Sequence, residues 1–326
     1  MTSASRRVGA GILLTLSVGL LAVGVLFRQN IADQLAFWSY EPTPEMAQVA
    51  SRSGLSKTGV FYLYAANPAL VGAEEFNVNC QRAEQSSPIL GCYNPSSNSV
   101  HIYDIDSDEL DGIKEVTAAH EMLHVVYARL SDAQAERLTG QLEAAYQRLK
   151  TPKLEERMGY YERNEPGSRI NELHSIIPTE FADIGAELEA YYATYFSDRQ
   201  QTVALHASYS QKFEEIEREA KTLSESLERR ADVIDRMRRS YEADMQQLNQ
   251  DILAFNRRAE SGGFSSQQPF NQQRDSLESR SQALVQRQNS IVAMIDEYNR
   301  DVERLQALGG QMERLNSALD SLEAVN

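Results

Sequence analysis

The sequence predicts an α+β domain in which a small sheet packs on a helix. A single transmembrane helix is expected before it, and a long antiparallel coiled-coil hairpin after it. Three observations carry that expectation. Residues 8–27 hold no charged side chain. Between residues 98 and 105 apolar side chains alternate, and from Asp108 they recur at helical spacing instead. Beyond residue 205 they step by three and four in a heptad seam. The boundaries that follow are a leader and anchor over 1–35, a central domain over 36–200 and the hairpin over 201–326.

The first element is a short basic leader, MTSASRR, followed by VGAGILLTLSVGLLAVGVLF and closed by Arg28. About 20 apolar residues match the roughly 30 Å hydrocarbon core of a bilayer. A cleaved signal peptide has a shorter apolar region and a small-x-small site, for which Ala22-Val23-Gly24 is a poor candidate. The segment therefore reads as an uncleaved signal anchor. Arg6 and Arg7 hold the N-terminus in the cytoplasm, which makes the chain a single-pass membrane protein with residues 29–326 extracytoplasmic. Trp38, the only tryptophan, then falls at the membrane interface. The chain carries 47 acidic against 32 basic side chains, a net charge of −15. That balance excludes a nucleic-acid partner, because phosphate binding needs a basic face.

Within the central domain, GVFYLYAA (residues 59–66) is rich in β-branched and aromatic residues and reads as a strand. NSVHIYDI (residues 98–105) alternates and reads as a second. The only cysteines, Cys80 and Cys92, lie between them. Joined as a disulfide, which the expected compartment permits, they stabilise the fold by about 3 kcal/mol. Helical spacing then runs through Val116, Ala119, Leu123 and Val126. A further helix starts at Ser131 and Asp132, and residues 168–199 are mostly helical with a break near Pro178.

In the last part, Leu277, Leu284, Ile291, Tyr298, Leu305, Met312 and Leu319 are each seven apart. A matching seam precedes them, and the segment SGGFSSQQPFNQQ interrupts the two. Two seams joined by a short turn predict an antiparallel hairpin, a spacer or a surface for homo-oligomerisation. Its tip carries two aromatics, Phe264 and Phe270, which read as exposed and could dock on another surface.

The stretch with the most chemistry is KEVTAAHEMLHVVYARL, residues 114–130. His120 and His124 are four apart, so a helix sets both imidazoles on one face, one turn apart. That is the geometry for two ligands of a tetrahedral zinc ion. Glu121 is displaced to the side, where it can take a proton from a zinc-activated water. Only five histidines occur in the chain, and two fall in this pattern.

With these residues, AAHEMLHVV resembles the active-site helix of the zincin class of metallopeptidases. The resemblance implies a zincin-like domain whose edge strand, GVFYLYAA or HIYDI, holds the substrate backbone. No Gly and third His follow closely after His124, so the metzincin extension is absent. A gluzincin-like arrangement implies a Glu from a second helix. Glu172 in INELHSI fits, with Asn171 before it and Ser175 three on, although Ile176 stands where an acid is expected. Glu180 in PTEFADIG is an alternate, and so is His174, which would make an all-histidine site. On one regular helix Glu172 and His174 point apart, so a metal cannot take both.

The resulting expectation is a membrane-anchored extracytoplasmic zinc peptidase. His120, His124 and Glu172 bind the metal, Glu121 is the base, and a peptide or protein of the cell envelope is the substrate. The alternative is a structural adaptor of the envelope whose coiled coil carries the function and whose zinc is structural or vestigial.

Overall fold

A computed structural model describes residues 27–81 and 89–325. It corrects the expected fold class. Among the described residues the molecule is mostly helical, 76%, with one small three-stranded sheet and two long helices. The strands span three to five residues each, too little to make the domain an even α+β mixture.

The expected transmembrane and single-pass localisation is also corrected. No helix among the described residues is long and apolar enough to cross a membrane. The three helices of 18 residues or more carry charged side chains throughout. The apolar segment 8–27 lies outside the described residues except for Phe27.

The chain divides into two compact units, residues 1–212 with 314–326, and residues 213–313. In the first, α1 (Arg28–Ser39), α2 (Pro44–Arg52) and α3 (Lys57–Ala65) precede β1 (Ala69–Val71) and α4 (Ala73–Asn79). Next come β2 (Gly91–Asn94), β3 (Ser99–Tyr103), α5 (Ile113–Tyr127), α6 (Asp132–Leu149), α7 (Pro152–Asn164), α8 (Arg169–Glu180) and α9 (Ala186–Tyr192). The sheet order is β1-β3-β2, with β1 parallel and β2 antiparallel to the central β3.

The segment GVFYLYAA, expected as a strand, is helix α3. Ser56 caps it by accepting from the Thr58 and Gly59 N–H groups. A Cβ at Gly59 would sit 2.2 Å from the Tyr195 carbonyl oxygen, so this helix packs directly on neighbouring backbone. Aromatic and β-branched content is a weak preference that such packing overrides.

The core forms where α5 lies between the sheet and α8. Val100 and Ile102 of β3, Met122, Leu123 and Val126 of α5, and Leu173 and Ile177 of α8 are all buried together. Burying side chains of this size removes about 1.5–3 kcal/mol each of unfavourable hydration. This packing sets the faces of α5 and α8 against each other.

Pro178 does not break α8 where a break was expected. Proline cannot donate to the carbonyl four residues back. That carbonyl belongs to His174, and the fully buried Tyr192 hydroxyl donates to it at 2.8 Å instead. The end of the helix is closed by Arg199, which donates to the Pro178, Phe181 and Ala182 carbonyls. A cation at a helix C-terminus also meets the negative end of its dipole.

The second unit consists of the paired parts of α10 (Arg199–Glu260) and α11 (Gln267–Leu319). Arg230 pairs with Asp301 at 2.8 Å and Arg280 with Asp251 at 2.6 Å, and Arg287 pairs with Asp244. Rising numbers on one helix meet falling numbers on the other, so the two run antiparallel. Phe264 and Phe270 are partly buried rather than fully exposed. Their ring centroids lie 5.5 and 5.1 Å from that of Phe255, in a cluster that closes the turn with Leu248 and Leu277.

Candidate metal centre

Helix α5 presents His120 and His124 on one face, as their spacing dictates. Their Nε2 atoms are 3.0 Å apart. Helix α8 brings Glu172 across from them. Its Oε1 lies 3.7 Å from His124 Nε2 and its Oε2 3.9 Å from His120 Nε2. The donor atoms of the three residues all fall within 4.8 Å of one another, and the group could hold a metal ion.

The donor set fits a cation on a second count. Glu172 is 5% exposed, and its Oε2 is buried without a hydrogen-bond partner. A buried carboxylate oxygen in that condition is costly unless a positive charge meets it. Burial pushes the Glu172 carboxyl above its ordinary range, against the opposing field of His124. Burial, reinforced by His124, holds His120 well below the usual imidazole value. For His124 burial acts downward, but the fields of Glu172 and Glu121 outweigh it and raise the ring above its usual value.

Glu121 is 4% exposed and faces β2. A Cβ on Gly91 would lie 2.7 Å from Glu121 Oε1 and 2.7 Å from Thr117 Cγ2, so only glycine lets the strand lie this close to α5. Burial pushes the Glu121 carboxyl up to about 7, against the opposing field of His124 and the nearby backbone N–H of Tyr93. Leu90 accepts from the Tyr103 N–H, so alternation turns the backbone groups of Gly91 and Tyr93 away from β3. The strand beside Glu121 is thus β2, an edge strand of the described sheet. HIYDI supplies the central strand and GVFYLYAA a helix, so neither expected edge-strand assignment stands.

The other two candidate ligands lie elsewhere. His174 is fully buried, its Nε2 is 2.9 Å from the Tyr191 hydroxyl, and its ring packs among Tyr127, Tyr191 and Tyr192. Burial, then the charge of His124, lowers it to about 3, so it stays neutral. Glu180 takes both terminal nitrogens of Arg157, at 2.9 and 2.7 Å. Neither residue joins the cluster.

Three contacts around the ligands were not assigned from sequence. The Asn171 Oδ1 lies 3.0 Å from His124 Nδ1. The buried Ser175 hydroxyl lies 3.2 and 3.4 Å from the two Nε2 atoms. Tyr161, on α7, stands near the Glu172 carboxylate and opposes the rise that burial gives its carboxyl. The first two had a sequence signal in their spacing around Glu172. Tyr161 had none, because its place depends on how α7 packs on α8.

Cys80 and Cys92 form a disulfide with a Cα–Cα distance of 5.7 Å. His101, directly opposite Cys92 in the sheet register, lies close enough for the three to form a second donor group. The bond between the two sulfurs removes the thiolates such a site would need.

No protein-family model, curated protein or solved structure matches this chain. The likeness to zincins therefore rests on the H-E-x-x-H helix and its partner Glu172, and this cluster by itself does not identify a zincin family.

Proposed function

We propose that the centre holds zinc through His120, His124 and Glu172 and that the protein hydrolyses peptide bonds with Glu121 as general base. One observation carries the reading. A carboxylate from α8 meets both imidazoles of α5, while a second buried carboxylate stands beside them and outside the set. Three protein donors with an adjacent base is the pattern of catalytic rather than structural zinc.

Bound there, zinc supplies Lewis acidity, drawing the pKa of a water molecule toward about 7 and polarising a carbonyl. The chain's own residues supply the remainder. Glu121 accepts the proton of the attacking water on its carboxylate and returns it to the leaving amine nitrogen. The nearby Tyr93 N–H favours the ionised form of that carboxylate, the form that accepts a proton. An extended polypeptide along β2 finds the outward backbone groups of Gly91, which orient the scissile bond toward Glu121.

The second reading is a structural protein whose zinc only ties α5 to α8. Ser175 favours it, because its hydroxyl closes one side of the pocket at 3.2 and 3.4 Å from the imidazole nitrogens. A neutral hydroxyl is outside the usual zinc donor set, which weighs for the catalytic reading.

Glu121→Gln separates them. The catalytic reading expects unchanged zinc content and a fall of at least about 100-fold in cleavage of a mixed peptide library. Equal cleavage by both proteins, or none by either, overturns it.

A further inference from the structure

We infer that Asn171 is a positioning residue for the metal centre: its carboxamide fixes His124 in the tautomer and orientation that turn Nε2 toward the ligand cluster. The inference rests on the zinc reading above and adds a residue to it.

A neutral imidazole carries one N–H, and the nitrogen without it is the one that can bind a metal. Which nitrogen that is depends on what the other meets. In His124 the two nitrogens meet opposite environments. Nδ1 lies 3.0 Å from Asn171 Oδ1. Nε2 lies 3.0 Å from His120 Nε2 and 3.7 Å from Glu172 Oε1. An amide oxygen only accepts, so the proton belongs on Nδ1 and the lone pair on Nε2.

The placement of Asn171 follows from α8. It is the residue before Glu172, and adjacent helical residues project about 100° apart. One turn of α8 therefore reaches two points of the same imidazole neighbourhood. Glu172 approaches the Nε2 side and Asn171 the Nδ1 side, so the His124 ring is held between them. A carboxylate could accept the same hydrogen bond, but the pocket already holds Glu172 and Glu121, both with carboxyls raised by burial. A third acid would add like-charge repulsion, whereas the amide orients the ring without charge.

His120 has no corresponding contact among the described hydrogen bonds, so the two imidazoles are not equivalent. Loss of Asn171 should free one of them specifically. Partners of this kind typically account for about 10–100-fold in metal affinity.

The test uses the full chain and two variants. Asn171→Leu keeps the size and removes the acceptor, and Asn171→Asp keeps the acceptor. Zinc affinity is measured by competition with a chromophoric chelator. Asn171→Leu should bind about 10–100-fold more weakly, and Asn171→Asp should restore binding to within about threefold of wild type. In parallel, long-range proton–nitrogen NMR of the metal-free protein, at a pH above the histidine range, reads the His124 tautomer directly. Wild type and Asn171→Asp should show the Nδ1–H form, and Asn171→Leu a mixture.

Equal zinc affinity in wild type and Asn171→Leu overturns the inference. So does an Nε2–H tautomer in wild type. If wild type binds no zinc while the Nδ1–H tautomer is found and lost in Asn171→Leu, the zinc reading fails and the positioning contact survives.

Discussion

Replacing Gly91 with alanine tests the contact between β2 and α5. The added Cβ would stand 2.7 Å from Glu121 Oε1, 2.7 Å from Thr117 Cγ2 and 2.8 Å from Glu121 Cγ. Ordinary contact begins near 3.4 Å, so strand and helix must separate by 3.4 − 2.7, about 0.7 Å. Thr117 cannot easily yield, because its hydroxyl is bonded to the Ile113 carbonyl at 2.8 Å and its methyl is fixed with it. Overpacking of this kind costs about 1–3 kcal/mol. The shift also moves β2 away from the Glu121 carboxylate, and a displacement near 1 Å at a reacting group can cost about 100-fold in rate. Urea denaturation should show the stability loss at unchanged m-value. Peptide cleavage should fall by one to two orders of magnitude, and zinc content should stay near wild type. Unchanged stability and turnover in Gly91→Ala would refute the claim that this glycine lets the edge strand seat against Glu121.

Three other outcomes follow from the same geometry. Glu172→Gln should lose zinc, whereas Glu180→Gln should keep it, since Glu180 is engaged with Arg157; metal analysis after dialysis decides, and the reverse pattern would move the centre. Tyr192→Phe leaves the His174 carbonyl without the donor that replaces the missing Pro178 N–H, at a cost of about 1–3 kcal/mol in denaturant titration. The metal-free protein should lose stability as pH falls below about 6.5 toward 3, by up to about 1.4 kcal/mol per pH unit from His174 alone. The sign follows from its lowered folded value: in that window the unfolded chain binds a proton that the folded chain refuses. His174→Gln should flatten the dependence in melts across that range, and an unchanged slope would contradict the burial argument.

The H-E-x-x-H constellation was legible in sequence because its geometry is local. A four-residue step on a helix aligns two side chains whatever surrounds it. The partner ligand was legible only as three options, because Glu172, His174 and Glu180 share one helix. What separates them is which face of α8 meets α5, and that is set by long-range packing of Leu173 and Ile177. The cysteine pairing was readable from count and spacing. Helix α3 was misread because an apolar, aromatic run of eight residues suits either state, and the decisive contact is with Tyr195 far along the chain. Strand β2 was missed for the converse reason. Its four residues carry no alternation, and their strand state depends on pairing with β3. The expected break at Pro178 followed a sound local rule that a distant tyrosine compensates.

The central claim is tested most directly by diffraction from zinc-supplemented crystals at energies above and below the zinc absorption edge. An anomalous peak within about 2.0–2.2 Å of His120 Nε2, His124 Nε2 and a Glu172 oxygen, with Glu121 outside bonding distance, is the predicted result. No peak between the two histidines, or a peak coordinated by Glu180 or His174 instead, would contradict it.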